Sequence, residues 1–220
     1  MTRFFDILFS GLALLLLSPI LIPIMIILKF SGEGEIFYTQ SRTGQGAVPF
    51  QLIKFATMLK NSASIGAGTL TVRNDPRVLP VGKFLRKTKI NELPQLINIF
   101  KGDMSFVGPR PLHIKQFSFY SEEMQKKIAS VRPGLTGAGS LVFRDEEQFF
   151  DDTNEDPDVI YKTKITPIKA SLESWYVDNQ NLVLYFLLII GTAIAVVFPK
   201  INFLPLISKD LEELQNELLG

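Results

Sequence analysis

A chain of 220 residues can bury one sizeable core. Its 23 basic and 22 acidic side chains leave a formal charge of +1 and no basic tail, which excludes a nucleic-acid binder held by phosphate contacts. The absence of cysteine excludes disulfides and thiolate metal sites, and the single histidine, His113, excludes a multi-histidine centre and reads as structural.

A mean hydropathy of +0.21 comes from two apolar runs near the ends. The first, Ile7 to Leu28, is interrupted only by Ser10, Gly11, Ser18, Pro19 and Pro23. At about 1.5 Å per residue, such a helix reaches across a hydrocarbon layer of roughly 30 Å. No small-residue cleavage site follows before Lys29, so an anchor is expected rather than a secretory signal. Each proline removes a backbone donor and crowds the preceding turn, and the Ser18 hydroxyl can satisfy a freed carbonyl. Arg3 and Lys29 flank both ends, so charge sets no orientation. The pattern predicts a re-entrant helix that breaks at Ser18-Pro19 and returns to the same face; a kinked full span is the alternative.

From Glu35 the composition turns polar. Ile36 to Gln40 reads as a strand, Arg42 to Gly46 as a turn and Phe50 to Met58 as the returning strand. Asn61 to Arg73 is rich in small residues and reads as a mobile loop, and Asn74-Asp75-Pro76-Arg77 as a turn.

The central stretch, Arg86 to Pro111, reads RKTKINELPQLINIFKGDMSFVGPRP. Ile90, Leu93, Leu96, Ile97 and Phe100 recur at helical spacing, giving one apolar face with Glu92 on its flank. A rigid arginine-bearing Gly-Pro-Arg-Pro corner follows. That combination suits an anionic phosphorylated ligand; a surface helix with solvated charges is the alternative. An amphipathic helix is expected near Lys115 to Ala129, then a second arginine turn at Arg132-Pro133-Gly134. Asp145, Glu146 and Glu147 read as a solvated run. Tyr161 to Asn181 reads as a helix whose Trp175 and Tyr176 suit a membrane interface. Leu182 to Phe198 has no charge and is short for a span. Lys162, Lys164 and Lys169 precede it and acids dominate the tail, which favours a cytoplasmic main domain. The tail from Ser208 to Leu219 predicts an amphipathic helix for self-association, hence a possible homo-oligomer, or for membrane contact.

Several of these pieces together resemble the bacterial sugar transferases, the monotopic phosphoglycosyl transferases. They are the hairpin Phe37 to Gly44, the segment Lys54-Phe55-Ala56-Thr57-Met58, Val81 to Arg86, Leu93-Pro94-Gln95-Leu96, Gly102 to Pro111 and Arg132 to Gly137. The resemblance implies transfer of a phosphosugar from a nucleotide diphosphate sugar, such as a UDP-sugar, to a polyprenol phosphate such as undecaprenyl phosphate. It also implies Mg²⁺ as cofactor, a re-entrant helix broken at a Ser-Pro pair, and a bacterial inner-membrane location. In that family an adjacent Asp-Glu pair opens the central helix, and the Asp attacks the β-phosphate. Here the pair is Asn91-Glu92, and Asn91 is neutral and a poor nucleophile. Three accounts follow: Glu92 is the nucleophile, the polyprenol phosphate attacks directly, or the chain is an impaired member that binds ligand without turnover.

The expectation is therefore an α+β, mainly helical, membrane-anchored chain with a small β-hairpin. It divides into a re-entrant helix (1–30), a catalytic-type domain (31–181), a second apolar helix (182–199) and an amphipathic tail (200–220). Asn91 and Glu92 are the candidate catalytic residues, and Glu92 is the candidate metal ligand. Lys54, Arg86, Arg110, Arg132 and Arg144 are the candidate phosphate-binding cations.

Overall fold

The computed structural model describes residues 2–65, 75–143, 157–198 and 204–219. The loop expected at Asn61 to Arg73 lies mostly outside them, and so do Arg144 and the acidic run after it.

The first apolar run forms helix α1, Thr2–Lys29, whose helical backbone continues through Pro19 and Pro23. Proline at 19 leaves the Leu15 carbonyl without its ladder donor, and the Ser18 hydroxyl donates to that carbonyl at 2.7 Å. The break expected at Ser18-Pro19 is thus a repaired gap in the ladder, with helix on both sides.

One face of α1 is covered along its length. Arg3 donates to the carbonyls of Ile99 and Phe100. Ala13, Leu14 and Leu17 pack on Leu52, Leu96, Ile99 and Met104, and Leu21 and Leu28 on Phe55 and Leu85. Phe4, Leu8, Leu12, Leu15, Leu16, Ile22 and Ile26 on the other face are exposed.

Strands β1 (Phe37–Thr43) and β2 (Pro49–Phe55) form the expected antiparallel hairpin, with Tyr38 opposite Lys54 and Arg42 opposite Phe50. After helix α2 (Pro80–Lys87), a single 3-10 turn carries Ile90–Glu92, and Pro94 starts helix α3 (Gln95–Lys101). The change from 3-10 to α geometry shifts the phase of the apolar stripe. Leu96 and Ile99 are buried, while Phe100, expected on the apolar face, is exposed. Asn98 docks α3 on the hairpin, accepting from Ile53 N and donating to Gln51 O.

Strands β3 (Ser105–Val107) and β4 (Gly134–Thr136) pair in parallel, which brings the two arginine turns together. Their backbones touch at Gly108 and Gly134. A Cβ on Gly108 would lie 2.3 Å from the Arg132 carbonyl, so only glycine fits.

The helix expected over Lys115 to Ala129 is two: α4 (Ile114–Phe117) and α5 (Glu122–Ala129). Ser121 caps α5 by accepting from Met124 N, which fixes a new start. His113 is structural as expected: its Nδ1 accepts from Lys115 N and caps α4. After the short helix α6 (Ala138–Val142), α7 (Pro157–Ile160) runs through a π-turn at Tyr161–Ile165 into α8 (Thr166–Asn179). Helix α9 (Leu182–Val197) follows, then α10 (Leu204–Ile207) and α11 (Lys209–Leu219).

Leu172 of α8, Leu188 of α9 and Leu211 of α11 meet Val107 in the largest core cluster. The amphipathic tail therefore buries Leu211 within its own chain.

Asp6 ties these layers together. Its buried Oδ1 accepts from the Ser105 hydroxyl (2.9 Å), Phe106 N (3.0 Å) and the Tyr185 hydroxyl (2.9 Å), joining α1, β3 and α9. Asp6→Ala would strand three donors, two of them buried. It is expected to cost about 3 kcal/mol, read as a lowered thermal midpoint, while the isosteric Asp6→Asn costs less.

Candidate active site

Four side chains from four segments converge beside the end of β3. Lys54 comes from β2, Glu92 from the 3-10 turn, Arg110 from the corner after β3 and Arg42 from the end of β1. Glu92 Oε1 lies 3.0 Å from Lys54 Nζ and 3.4 Å from Arg110 Nη2. Arg42 donates to Gln40 Oε1 at 2.5 Å and to the Pro111 carbonyl at 3.5 Å.

The electrostatics follow from this packing. Burial alone would raise the Glu92 pKa, but Lys54 and Arg110 outweigh it and hold the carboxyl well below the usual carboxylate range. Burial pushes the Lys54 ammonium down to about 8, only partly offset by Glu92. Burial, reinforced by the neighbouring Arg110, lowers the Arg42 guanidinium to about 10. At neutral pH three cations face one carboxylate, an excess that suits the charge of a bound diphosphate.

Asn91 sits beside Glu92 in the turn, buried at 6% exposure, and its Oδ1 is a buried acceptor with no hydrogen-bond partner among the described residues. Isolated acceptors of this kind are costly in a core and cluster where a ligand or ion completes the site.

The structure thus brings together Lys54, Glu92 and Arg110 of the residues expected from sequence, with Asn91 preceding Glu92 in the same turn. Arg132 lies in the neighbouring turn, and its Nε donates to the Gly102 carbonyl at 3.0 Å. Arg86 reaches Met58 Sδ at 3.7 Å. Arg144 lies outside the described residues.

Two residues were missed. Arg42 stands in a segment read as a turn, and only the hairpin register shows that it returns to the site. Glu173 of α8 is buried at 3% exposure and accepts the Arg110 backbone N–H at 3.2 Å, far from any motif.

No group of three or more His, Cys, Asp or Glu side chains exists among the described residues, so they do not build a protein-made metal cage. The donor set does fit a magnesium ion carried mainly by phosphates. Glu92 supplies one carboxylate, and the unpartnered Asn91 Oδ1 is a neutral oxygen beside it.

A family model described as bacterial sugar transferase matches residues 1–199. The exopolysaccharide production protein ExoY of Sinorhizobium fredii is 34% identical over 208 residues, covering 88% of this chain and 84% of the relative. The undecaprenyl-phosphate galactose phosphotransferase of Salmonella typhimurium is 32% identical over 194 residues, covering 82% of this chain and 37% of the relative. The UDP-glucose:undecaprenyl-phosphate glucose-1-phosphate transferase of Escherichia coli is 39% identical over 136 residues, covering 60% of this chain and 29% of the relative. This chain spans most of the ExoY protein and about a third of the two named transferases. With the family match over nine-tenths of its length, and with the motif residues Lys54, Glu92 and Arg110 gathered at one site, this chain belongs to the bacterial sugar transferase family.

Proposed function

We propose that this protein transfers a phosphosugar from a UDP-sugar to a polyprenol phosphate, an early membrane step in assembling a bacterial glycan. The observation that carries this reading is the cluster in which Lys54 and Arg110 share Glu92 Oε1, with Arg42 beside them. Two of the named relatives act on undecaprenyl phosphate, and one of these takes UDP-glucose.

The chemistry can be written on this chain's own residues. The incoming diphosphate competes with Glu92 for Lys54 and Arg110, which frees the carboxylate as the cations settle on phosphate oxygens. Glu92 is ionised and partly exposed, whereas Asn91 is neutral and buried. A Glu92 carboxylate oxygen forms a bond to the β-phosphorus, the bond from that phosphorus to the bridging oxygen breaks, and nucleoside monophosphate leaves. A phosphate oxygen of the polyprenol phosphate then displaces Glu92 from the phosphosugar. Glu92 and the Asn91 side-chain oxygen are the residues that would hold a magnesium ion, and such an ion would supply charge neutralisation.

A second reading rests on Asn91. A neutral amide where the family's pair begins with Asp fits a member that binds donor without turnover. Nucleoside monophosphate release from a panel of UDP-sugars, with Mg²⁺ and undecaprenyl phosphate, separates the two. Release by the chain as it stands supports the first; donor binding without release supports the second; neither binding nor release sinks both.

The same reading places α1 in the membrane as a re-entrant helix with the domain on the cytoplasmic side. α1 is long and apolar enough to cross a bilayer. Yet one of its faces rests on the domain from Arg3 to Leu28, which suits a helix held at one membrane surface. Because the chain has no cysteine, single cysteines at Phe4 and Phe30 can be labelled cleanly. In right-side-out and inverted vesicles, both sites are expected to react with a membrane-impermeant maleimide from the same side. Labelling from opposite sides would establish a full span.

A further inference from the structure

Glu173 projects from α8 toward the rear of the Arg110 corner, and none of the sequence motifs contains it. Its Oε1 accepts the Arg110 backbone N–H at 3.2 Å. Pro109 and Pro111 flank Arg110 and have no N–H, so this is the one backbone hydrogen bond that the Pro-Arg-Pro corner can donate. The carbonyls on either side are fixed independently, Pro109 O by Gly134 N at 2.8 Å and Pro111 O by Arg42 Nη1 at 3.5 Å.

Gly139 of α6 makes room for the carboxylate. A Cβ at that position would lie 2.4 Å from Glu173 Oε1. The other oxygen, Oε2, is buried with no hydrogen-bond partner among the described residues. Glu173 also lines, with Thr43, Pro109 and Arg110, a cavity of ≈ 20 Å³. That is room for about one water molecule.

We infer that Glu173 is a positioning residue for Arg110: it holds the backbone of the Pro-Arg-Pro corner from behind and so fixes where the guanidinium meets the diphosphate. Glu173 faces away from the reacting atoms and acts only through Arg110. The inference rests on the transferase reading and names a residue that tunes its donor site.

Protonation of Glu173 gives the test a distinctive readout. Burial pushes its carboxyl up to about 7, against the opposing pull of the Arg110 N–H, Lys169 and the Arg110 charge. Tyr176, one turn further along α8, is a further titratable neighbour among the described residues. An ionised carboxylate makes a stronger, charge-assisted bond to the N–H than the neutral acid does. The corner is therefore held more firmly above about pH 7 and loosens below it.

The experiment uses the full chain in lipid nanodiscs, with UDP and inorganic pyrophosphate as probes. Their dissociation constants are measured by calorimetry from about pH 6 to pH 8, alongside thermal unfolding. The titration of Lys54 and of the probes' own phosphates is common to all forms, so the readout is the difference between forms: relative to Glu173→Gln, the unaltered protein is expected to gain affinity as pH rises through about 7. Glu173→Gln keeps the acceptor but cannot ionise, so its affinity stays within about threefold and that extra gain disappears. Glu173→Ala loses roughly tenfold, or about 1.4 kcal/mol. Gly139→Ala leaves Glu173 chemically intact but displaces its carboxylate, and is expected to lose affinity to a similar extent without loss of thermal stability. If the unaltered chain binds both probes and the three variants bind them equally well, the role of Glu173 is refuted and the transferase reading stands. If the unaltered chain binds neither probe, both fall.

Discussion

Asn91→Asp is expected to raise nucleoside monophosphate release at least about tenfold, which corresponds to ~1.4 kcal/mol off the barrier. The substitution is isosteric, so the buried turn at Ile90–Glu92 can accept it without repacking. It exchanges an unpartnered amide oxygen for a carboxylate next to Glu92, in a cluster whose cations outnumber its acids. The new charge reduces that excess, so thermal stability should hold or rise slightly. Burial would push the new carboxyl up, but the same cations that hold Glu92 ionised oppose this. With the polyprenol acceptor omitted, intact mass should show a phosphosugar adduct, and peptide mapping should place it. An adduct at position 91 would mark the aspartate as the better nucleophile, while an adduct still at Glu92 would mark position 91 as auxiliary. An unchanged rate would show that residue 91 does not meet the reacting phosphorus.

The opposite change has the larger cost. Glu92→Gln removes the one acid shared by Lys54 and Arg110, and monophosphate release is expected to fall at least ~1000-fold. Stability should drop by roughly 2 kcal/mol, because the partly buried Lys54 loses its charged partner. Lys54 reports the loss directly. Its ammonium is already lowered to about 8 by burial, and Glu92 is what limits the shift. In the variant it should titrate lower still, measurable by NMR of labelled lysine. The acid limb should change as well. The Glu92 pKa is depressed in the fold, so its stabilisation is present above the unfolded value of about 4.3 and is lost as pH falls. Glu92→Gln should therefore flatten part of the acid-induced loss of stability. Unaltered release in this variant would remove Glu92 from the chemistry.

What could be read from sequence was whatever the chain keeps local. The hairpin is visible because its strands are separated by a turn of few residues, and Glu92 and Arg110 share one stretch. The parallel pairing of β3 with β4 was not legible. Ser105–Val107 and Gly134–Thr136 are too short to show alternation, and two helices separate them. Arg42 and Glu173 were missed for the same reason: each reaches the site through a distant element. Phe100 shows the converse error. Its spacing fits the apolar stripe, but Pro94 resets the helical phase and turns the ring outward. The tail leucines carry a correct helical period, yet that period does not say which surface they cover, and Leu211 is buried in the chain's own core.

The continuous seating of α1 on the domain bears on how the protein comes to be folded at all. Leu52, Leu96, Ile99, Met104, Phe55 and Leu85 are covered partly by that helix, so a version trimmed of it for solubility would expose them together. Such a truncation should yield an aggregating chain rather than an inactive but well-behaved domain. In synthesis the helix emerges before every strand it shields, so it is already in place as the template on which the remaining chain assembles.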